Sequence, residues 1–292
     1  MQPFPLQHLL WSVAFIALVI ALPALYVTFM KYVVAPIRLR KHTIPATPQL
    51  EPVEFADVPS DVLSSMSATA AQLARCGFKA VAHLRDAGQQ QPGSSGYVSI
   101  WGRECGDAWA VIIFVRCDHP SGVRSDTHTV TFATEFEGDT AIATSNWSSP
   151  STMPPDPRGE VVRWRGMEDV AMLWTLHERR VLRRQGNRRL RQIVDPVGYM
   201  LENERRVRQR CVDGGYYWLD ADHAVYRKTF KGCLQTYRLL WPWLDLLEAR
   251  MDRELRAELE ACGMGRPERY AMQPRVDADD AARPLPYSEG LP

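Results

Sequence analysis

Lysine is scarce in this chain. Of 35 basic residues only five are lysine: Lys31, Lys41, Lys79, Lys228 and Lys231. Positive charge therefore rests almost entirely on arginine, and a surplus of that kind also arises from genome composition without any demand for binding. Catalytic signatures are absent as well. The sequence holds no G-x-x-x-x-G-K-[ST], no G-x-G-x-x-G, no H-E-x-x-H and no G-x-S-x-G, which removes the sequence basis for a phosphate loop, a dinucleotide fold, a zincin or an α/β-hydrolase. Its six cysteines (Cys76, Cys105, Cys117, Cys211, Cys233 and Cys262) form no C-x-x-C pair. Scattered thiols of this kind fit a reducing compartment better than a disulfide framework. There is no internal repeat.

Charge is also missing from residues 9–30, LLWSVAFIALVIALPALYVTFM. A helix of that length extends roughly 33 Å, enough for a hydrocarbon core of about 30 Å. No basic residue precedes it and no small-residue cleavage site closes it, so a retained signal-anchor is expected rather than a cleaved signal peptide. Trp11, Tyr26 and Tyr32 stand near its ends, and Lys31, Arg38, Arg40 and Lys41 follow. That flank places the N-terminus outside an inner membrane and the remainder in the cytoplasm. The expected layout is a short external N-terminus (1–8), a transmembrane helix (9–33) and a Pro-rich linker (34–59).

What is present beyond residue 60 suits a globular domain. Apolar residues make up 46% of the chain and charged residues 24%, with a net charge of +1. Val62, Met66, Ala70 and Leu73 repeat at helical spacing over 60–76, and Gly77 suits the left-handed position after that helix. The period then changes to two. Ala80–Arg85, Tyr97–Arg103, Ala108–Arg116, Thr127–Phe136 and Thr140–Asn146 are strands by pattern, with turn residues between them. Such short connections make antiparallel neighbours. Ala108–Val115 is continuously apolar, so it belongs at the centre; Thr127–Phe136 alternates, so one of its faces should be wet. Residues 147–165 read as a loop. An Arg-rich helical region spans 166–263, with helices at Gly166–Gln185 and Pro196–Cys211, a hairpin around Asp220–His223 and an amphipathic helix from Pro242 to Gly263. Residues 264–292 have no periodicity and read as a disordered tail.

The expected fold class is thus α+β: an N-terminal transmembrane helix, an antiparallel sheet of about five strands covered by helices, and a C-terminal helical extension. The order of helix, antiparallel strands and helix resembles helix-on-curved-sheet folds that hold apolar ligands, a likeness of architecture only.

Two stretches stand out as candidate binding surfaces. Residues 163–210 carry thirteen arginines against six acids. Arg179, Arg180, Arg183, Arg184, Arg188, Arg189 and Arg191 would attract an anionic lipid surface or an acidic partner, at about 1 kcal/mol for each basic residue near a membrane. Trp241 and Trp243, in an aromatic and leucine-rich run flanked by Lys228, Lys231 and Arg238, suit an interfacial helix or a packed core helix. His177 lies on the apolar seam of its helix, where a hydrogen-bonded packing role is the usual one. Cys117, Asp118 and His119 adjoin in a turn, where neighbouring side chains diverge. Glu135, Glu137 and Asp139 lack the spacing of a calcium loop, and Asp220, Asp222 and His223 read as a solvated turn.

The expected function is a non-enzymatic, membrane-anchored binding protein that docks a partner protein or lipid headgroups, without cofactor, metal or nucleic acid. The alternatives are a carrier of a small apolar ligand held between sheet and helices, and an enzyme built on His177 or on the Cys117/His119 pair.

Overall fold

The computed structural model describes residues 6–34, 37, 40, 43–87, 94–118, 124–138, 140–148, 151, 154, 156–237 and 243–264. The first element is helix α1 (Leu6–Phe29), which contains Pro23 and runs into a π-turn at Met30–Val34. Among the described residues no helix is long and apolar enough to cross a membrane. This corrects the expected transmembrane, single-pass, signal-anchor segment. Proline cannot donate to the carbonyl four residues back, and its ring crowds that carbonyl. Helix α1 nonetheless runs on through Pro23 from Leu6 to Phe29, and the proline leaves one carbonyl of that helix without its usual amide donor. Trp11, Phe15, Leu18, Leu22, Leu25 and Tyr26 are exposed and contribute nothing to the domain core.

The Pro-rich stretch after α1 is more ordered than its composition suggests. It supplies two short strands, β1 (Thr43–Pro45) and β2 (Leu50–Pro52), and a single 3-10 turn at Phe55–Asp57. Proline is tolerated at such edges, where one side of the strand needs no amide donor. Helix α2 (Ser60–Arg75) follows and ends at Gly77, whose φ of +84° is open to glycine at no cost.

Strands β3 (Phe78–Asp86), β4 (Ser94–Arg103), β5 (Trp109–Asp118), β6 (Arg124–Phe136) and β7 (Thr140–Ser145) form an antiparallel meander at the positions where the period-two pattern runs. A further strand, β8 (Gly159–Arg163), pairs parallel to β7 within the stretch expected to be a loop. Thirteen residues separate β7 from β8 in the sequence, the length that a parallel connection demands. The sheet is therefore mixed and seven-stranded, in the order β2-β3-β4-β5-β6-β7-β8, rather than a five-stranded antiparallel sheet. As its composition requires, β5 lies centrally between β4 and β6.

Helices cover both faces. Helices α2 and α3 (Val170–Gln185) bury Phe78, Trp101, Ile112, Phe114, Phe132, Leu173, Trp174 and Leu176 in the main core. On the other face, α4 (Pro196–Asp213) sets Tyr199 and Met200 against Trp109, Val111 and Ala133. The face of β6 expected to be wet is accordingly covered, and Glu135 on it is buried. Asp169 and Asp195 cap the starts of α3 and α4 by accepting from the amides of Met172 and Gly198.

A second, three-stranded sheet is built from β1, β9 (Tyr217–Asp220) and β10 (Val225–Lys228), in the order β1-β10-β9. Helix α5 (Phe230–Tyr237) follows it, and α6 (Trp243–Ala261) returns to the main core, where Leu255 and Leu259 pack.

Candidate functional site

Residues 46–49 form a strap that joins the two sheets, since β1 belongs to the small sheet and β2 to the edge of the large one. Pro45 and Pro48 limit its backbone freedom. The Ala46 amide donates to the Ala224 carbonyl at 2.8 Å, and the Ala87 amide donates to the Gln49 carbonyl at 2.8 Å. A third anchor is the Arg208 guanidinium, which donates to the Pro45 carbonyl.

Beneath the strap lies a cavity of about 400 Å³. One wall is helix α4, which presents Glu204, Val207, Arg208 and Cys211 at helical spacing on one face. A second wall is the small sheet. Tyr217 pairs with Lys228, two residues on from Tyr226, and Ile44 pairs with Tyr226, so Tyr217, Tyr226 and Ile44 share one face. The strap and Leu50 close the third side, and Asp86 at the end of β3 completes it.

The cavity is mainly apolar, with a few polar groups placed in it. Arg208 pairs with Glu204 one turn earlier on α4. Tyr217 is only 8% exposed. Burial pushes its phenol up to about 12, so it stays protonated. Neither the Tyr217 nor the Tyr226 hydroxyl has a hydrogen-bond partner among the described residues. Cys211 is buried, and burial raises its thiol too, which keeps it a neutral lining group.

The expected ligand space between the large sheet and its helices is filled. The residual void there, beside Val58, Met66 and Tyr97, is about 10 Å³, no more than room for one water. The larger cavity is lined instead by α4, the small sheet and the strap, with tyrosine, valine and proline in place of tryptophan and phenylalanine.

Six of the seven arginines singled out from the sequence are engaged within the fold. Arg179 donates to the carbonyls of Cys262 (2.8 Å) and Gly263 (3.2 Å), capping the end of α6. Arg180 is buried; its Nη1 donates to the Ala143 carbonyl at 2.6 Å and to Thr144 Oγ1 at 2.8 Å. Arg183 pairs with Glu258, and Arg184 with Glu160 at 2.8 Å and Glu258 at 3.2 Å. Arg188 donates to Thr140 Oγ1 and lies 4.5 Å above the Phe136 ring. Arg191 pairs with the buried Glu135 at 3.2 Å, which also accepts from the Tyr199 hydroxyl. Arg189 is exposed. The acidic face of α6 thus meets the basic face of α3, and Arg165 extends this contact to Glu248 (2.8 Å) and Asp252 (3.1 Å). Trp243 is about half exposed at the start of α6; Trp241 lies outside the described residues.

His177 is fully buried between two hydroxyls, with Thr134 Oγ1 and Thr144 Oγ1 each 3.0 Å from a ring nitrogen. Its ring stacks on Trp174. Burial, and then the charge of Arg180, depress its pKa to about 3. The imidazole is neutral at physiological pH and fixes the packing of α3 on β6 and β7. Asp220 accepts from His223 at 3.0 Å and from Arg227 at 2.7 Å, and these bonds lower its carboxyl to about 2. His119 and Asp139 lie outside the described residues, as do residues 265–292. Among the described residues no group of acidic, cysteine or histidine side chains is arranged to hold a metal ion.

No family model, curated protein or solved structure matches this chain.

Proposed function

We propose that this chain is a binding protein whose α+β domain takes up a small, largely apolar molecule in the cavity beneath the 46–49 strap. One observation carries the reading: a cavity of about 400 Å³, of the size that small-ligand sites commonly have, lined by apolar side chains together with the Tyr217 and Tyr226 phenols and the Arg208–Glu204 ion pair. His177 and Cys117, on which the enzyme alternative rests, do not line it, and His119 lies outside the described residues. The arginine surface is the weaker candidate, because Arg179, Arg180, Arg183, Arg184 and Arg191 each already hold an acceptor inside the chain.

The test is a titration of the full chain with Prodan, a neutral naphthalene ketone whose emission moves to the blue in a dry site. Saturable binding that Val207→Trp abolishes supports the reading, because a tryptophan at Val207 would occupy the cavity. Binding that is indifferent to Val207→Trp overturns it.

A further inference from the structure

A large apolar surface lies outside the cavity and outside both sheets, on helix α1. Trp11, Phe15, Leu18, Leu22, Leu25 and Phe29 are between 53% and 70% exposed. Their spacing alternates between four and three residues, the 3.5-residue repeat of a coiled-coil seam. Phe15, Leu22 and Phe29 take position a of the heptad, and Trp11, Leu18 and Leu25 take position d. Every tryptophan, phenylalanine and leucine between residues 11 and 29 falls on this row. Pro23 takes position b, outside the seam.

At roughly 200 Å² for each such side chain, the six expose about 700 Å², against ~300–600 Å² for the largest apolar patch on a typical monomer. Two copies joined along the row would bury about 1,400 Å², within the roughly 1,200–2,000 Å² of a stable interface. The other long helices have already buried their apolar stripes: α2 and α3 in the main core, α4 against Trp109 and Val111, and α6 through Leu255 and Leu259. A matching row for α1 is therefore found on a second α1. Residues 9–29 carry no charged side chain, so an identical copy meets no like charge and no ion must leave water. The positions that flank the seam include Val19, Ala21, Tyr26 and Thr28, all uncharged.

We infer that α1 is a self-association helix that pairs with the α1 of a second copy of this chain along the row from Trp11 to Phe29. Each a and d side chain inserts between four residues of the facing helix, and burial of the aromatic rings and leucines supplies the affinity. None of the six residues lines the cavity beneath the strap, so the pairing stands independently of the ligand reading.

The experiment is sedimentation equilibrium of the full chain and of two variants. The first combines Leu18→Glu with Leu25→Glu, which places charges in the seam. The second is Val27→Glu, which puts the same charge at position f on the far side of α1, where Val27 is 59% exposed. None of these residues packs in the core clusters of the domain, so the substitutions leave its folding intact. The expected result is twice the mass of one chain for the wild type and for Val27→Glu. The seam variant should sediment as a monomer, its dissociation constant raised by at least about a hundredfold. A wild-type chain that sediments as a monomer overturns the proposal, and so does a seam variant that remains a dimer. Association dispersed equally by Val27→Glu also overturns it, because non-specific clustering or attachment to residual lipid draws on every face of α1 alike.

Discussion

Arg180 Nε lies 3.4 Å from Glu258 Oε2, with the arginine side chain 1% exposed and the carboxylate 14%. The guanidinium crosses from α3 to meet an acid on α6, and Arg183 and Arg184 converge on the same carboxylate. Burial lowers the pKa of Arg180 and the charge of Arg184 adds to that shift, while Glu258 and Glu160 oppose it and keep the ion in place. Removing one member of such a pair leaves the other buried and uncompensated, at a cost of about 3–5 kcal/mol. Glu258→Ala should therefore lower unfolding stability by about 3 kcal/mol in urea denaturation. Glu51→Ala, which breaks the exposed pair with Arg85, should change it by less than about 1 kcal/mol. Equal effects at the two sites would count against an electrostatic clamp between α3 and α6.

His177 makes stability depend on pH in a defined direction. Its native pKa is depressed to about 3, against about 6.5 for a free imidazole. The unfolded chain therefore binds the proton first. The contribution is fully present above about pH 6.5 and is lost as the pH falls toward 3, by about 1.4 kcal/mol per pH unit. Urea midpoints between pH 7 and pH 5 should fall more steeply for the wild-type chain than for His177→Gln. Parallel slopes would mean that the imidazole is not buried as described.

Gly232 sits where a side chain cannot. A Cβ at this position would run into the Tyr216 carbonyl, which is backbone and cannot swing aside. That contact seats α5 against the start of β9. Gly232→Ala should loosen the small sheet, seen as faster amide exchange at Tyr217–Asp220, and should weaken any ligand bound beside Tyr217. Exchange rates that match the wild-type chain would refute the close packing of α5.

The caps of the two sheet-covering helices are separable from the core. Asp195 accepts from the Gly198 amide at 2.9 Å and Asp169 from the Met172 amide at 3.0 Å. Each Asp→Ala variant should cost about 1 kcal/mol. The losses should add, since the helices lie on opposite faces of the sheet. A double variant that loses much more than the sum would point to a direct coupling of α3 with α4.

Much of the large sheet could be read from residues alone. The alternation in Tyr97–Arg103 and the apolar run Ala108–Val115 fix their strands because short turns leave them no other partner. The Asp195-Pro196 start of α4 was visible for the same local reason. Strand β8 was not, because Pro154, Pro155 and Pro157 mask a strand that begins only two residues later, and parallel pairing leaves no turn signature. The covering of Glu135 on β6 escaped notice since its partners, Arg191 and Tyr199, come from more than fifty residues away. The cavity was illegible for that reason too. It is assembled from 43–50, Asp86, one face of α4 and two tyrosines of the small sheet, and no local pattern joins them. The apolar stretch at the N-terminus shows the reverse case: its hydropathy is plain in the residues, yet no helix among the described residues is long and apolar enough to cross a membrane. Arginine density likewise gave charge without context, for it could not reveal that α6 presents Glu248, Asp252 and Glu258 to meet it.

The most direct test of a ligand site beneath the strap is amide hydrogen exchange of the full chain with and without saturating Prodan. Slower exchange at residues 43–50, 204–211 and 217–226, with the rest of the chain unchanged, is the predicted result. Protection confined to α1 or to the α3–α6 contact, with the strap and the two tyrosine strands unaffected, would contradict it.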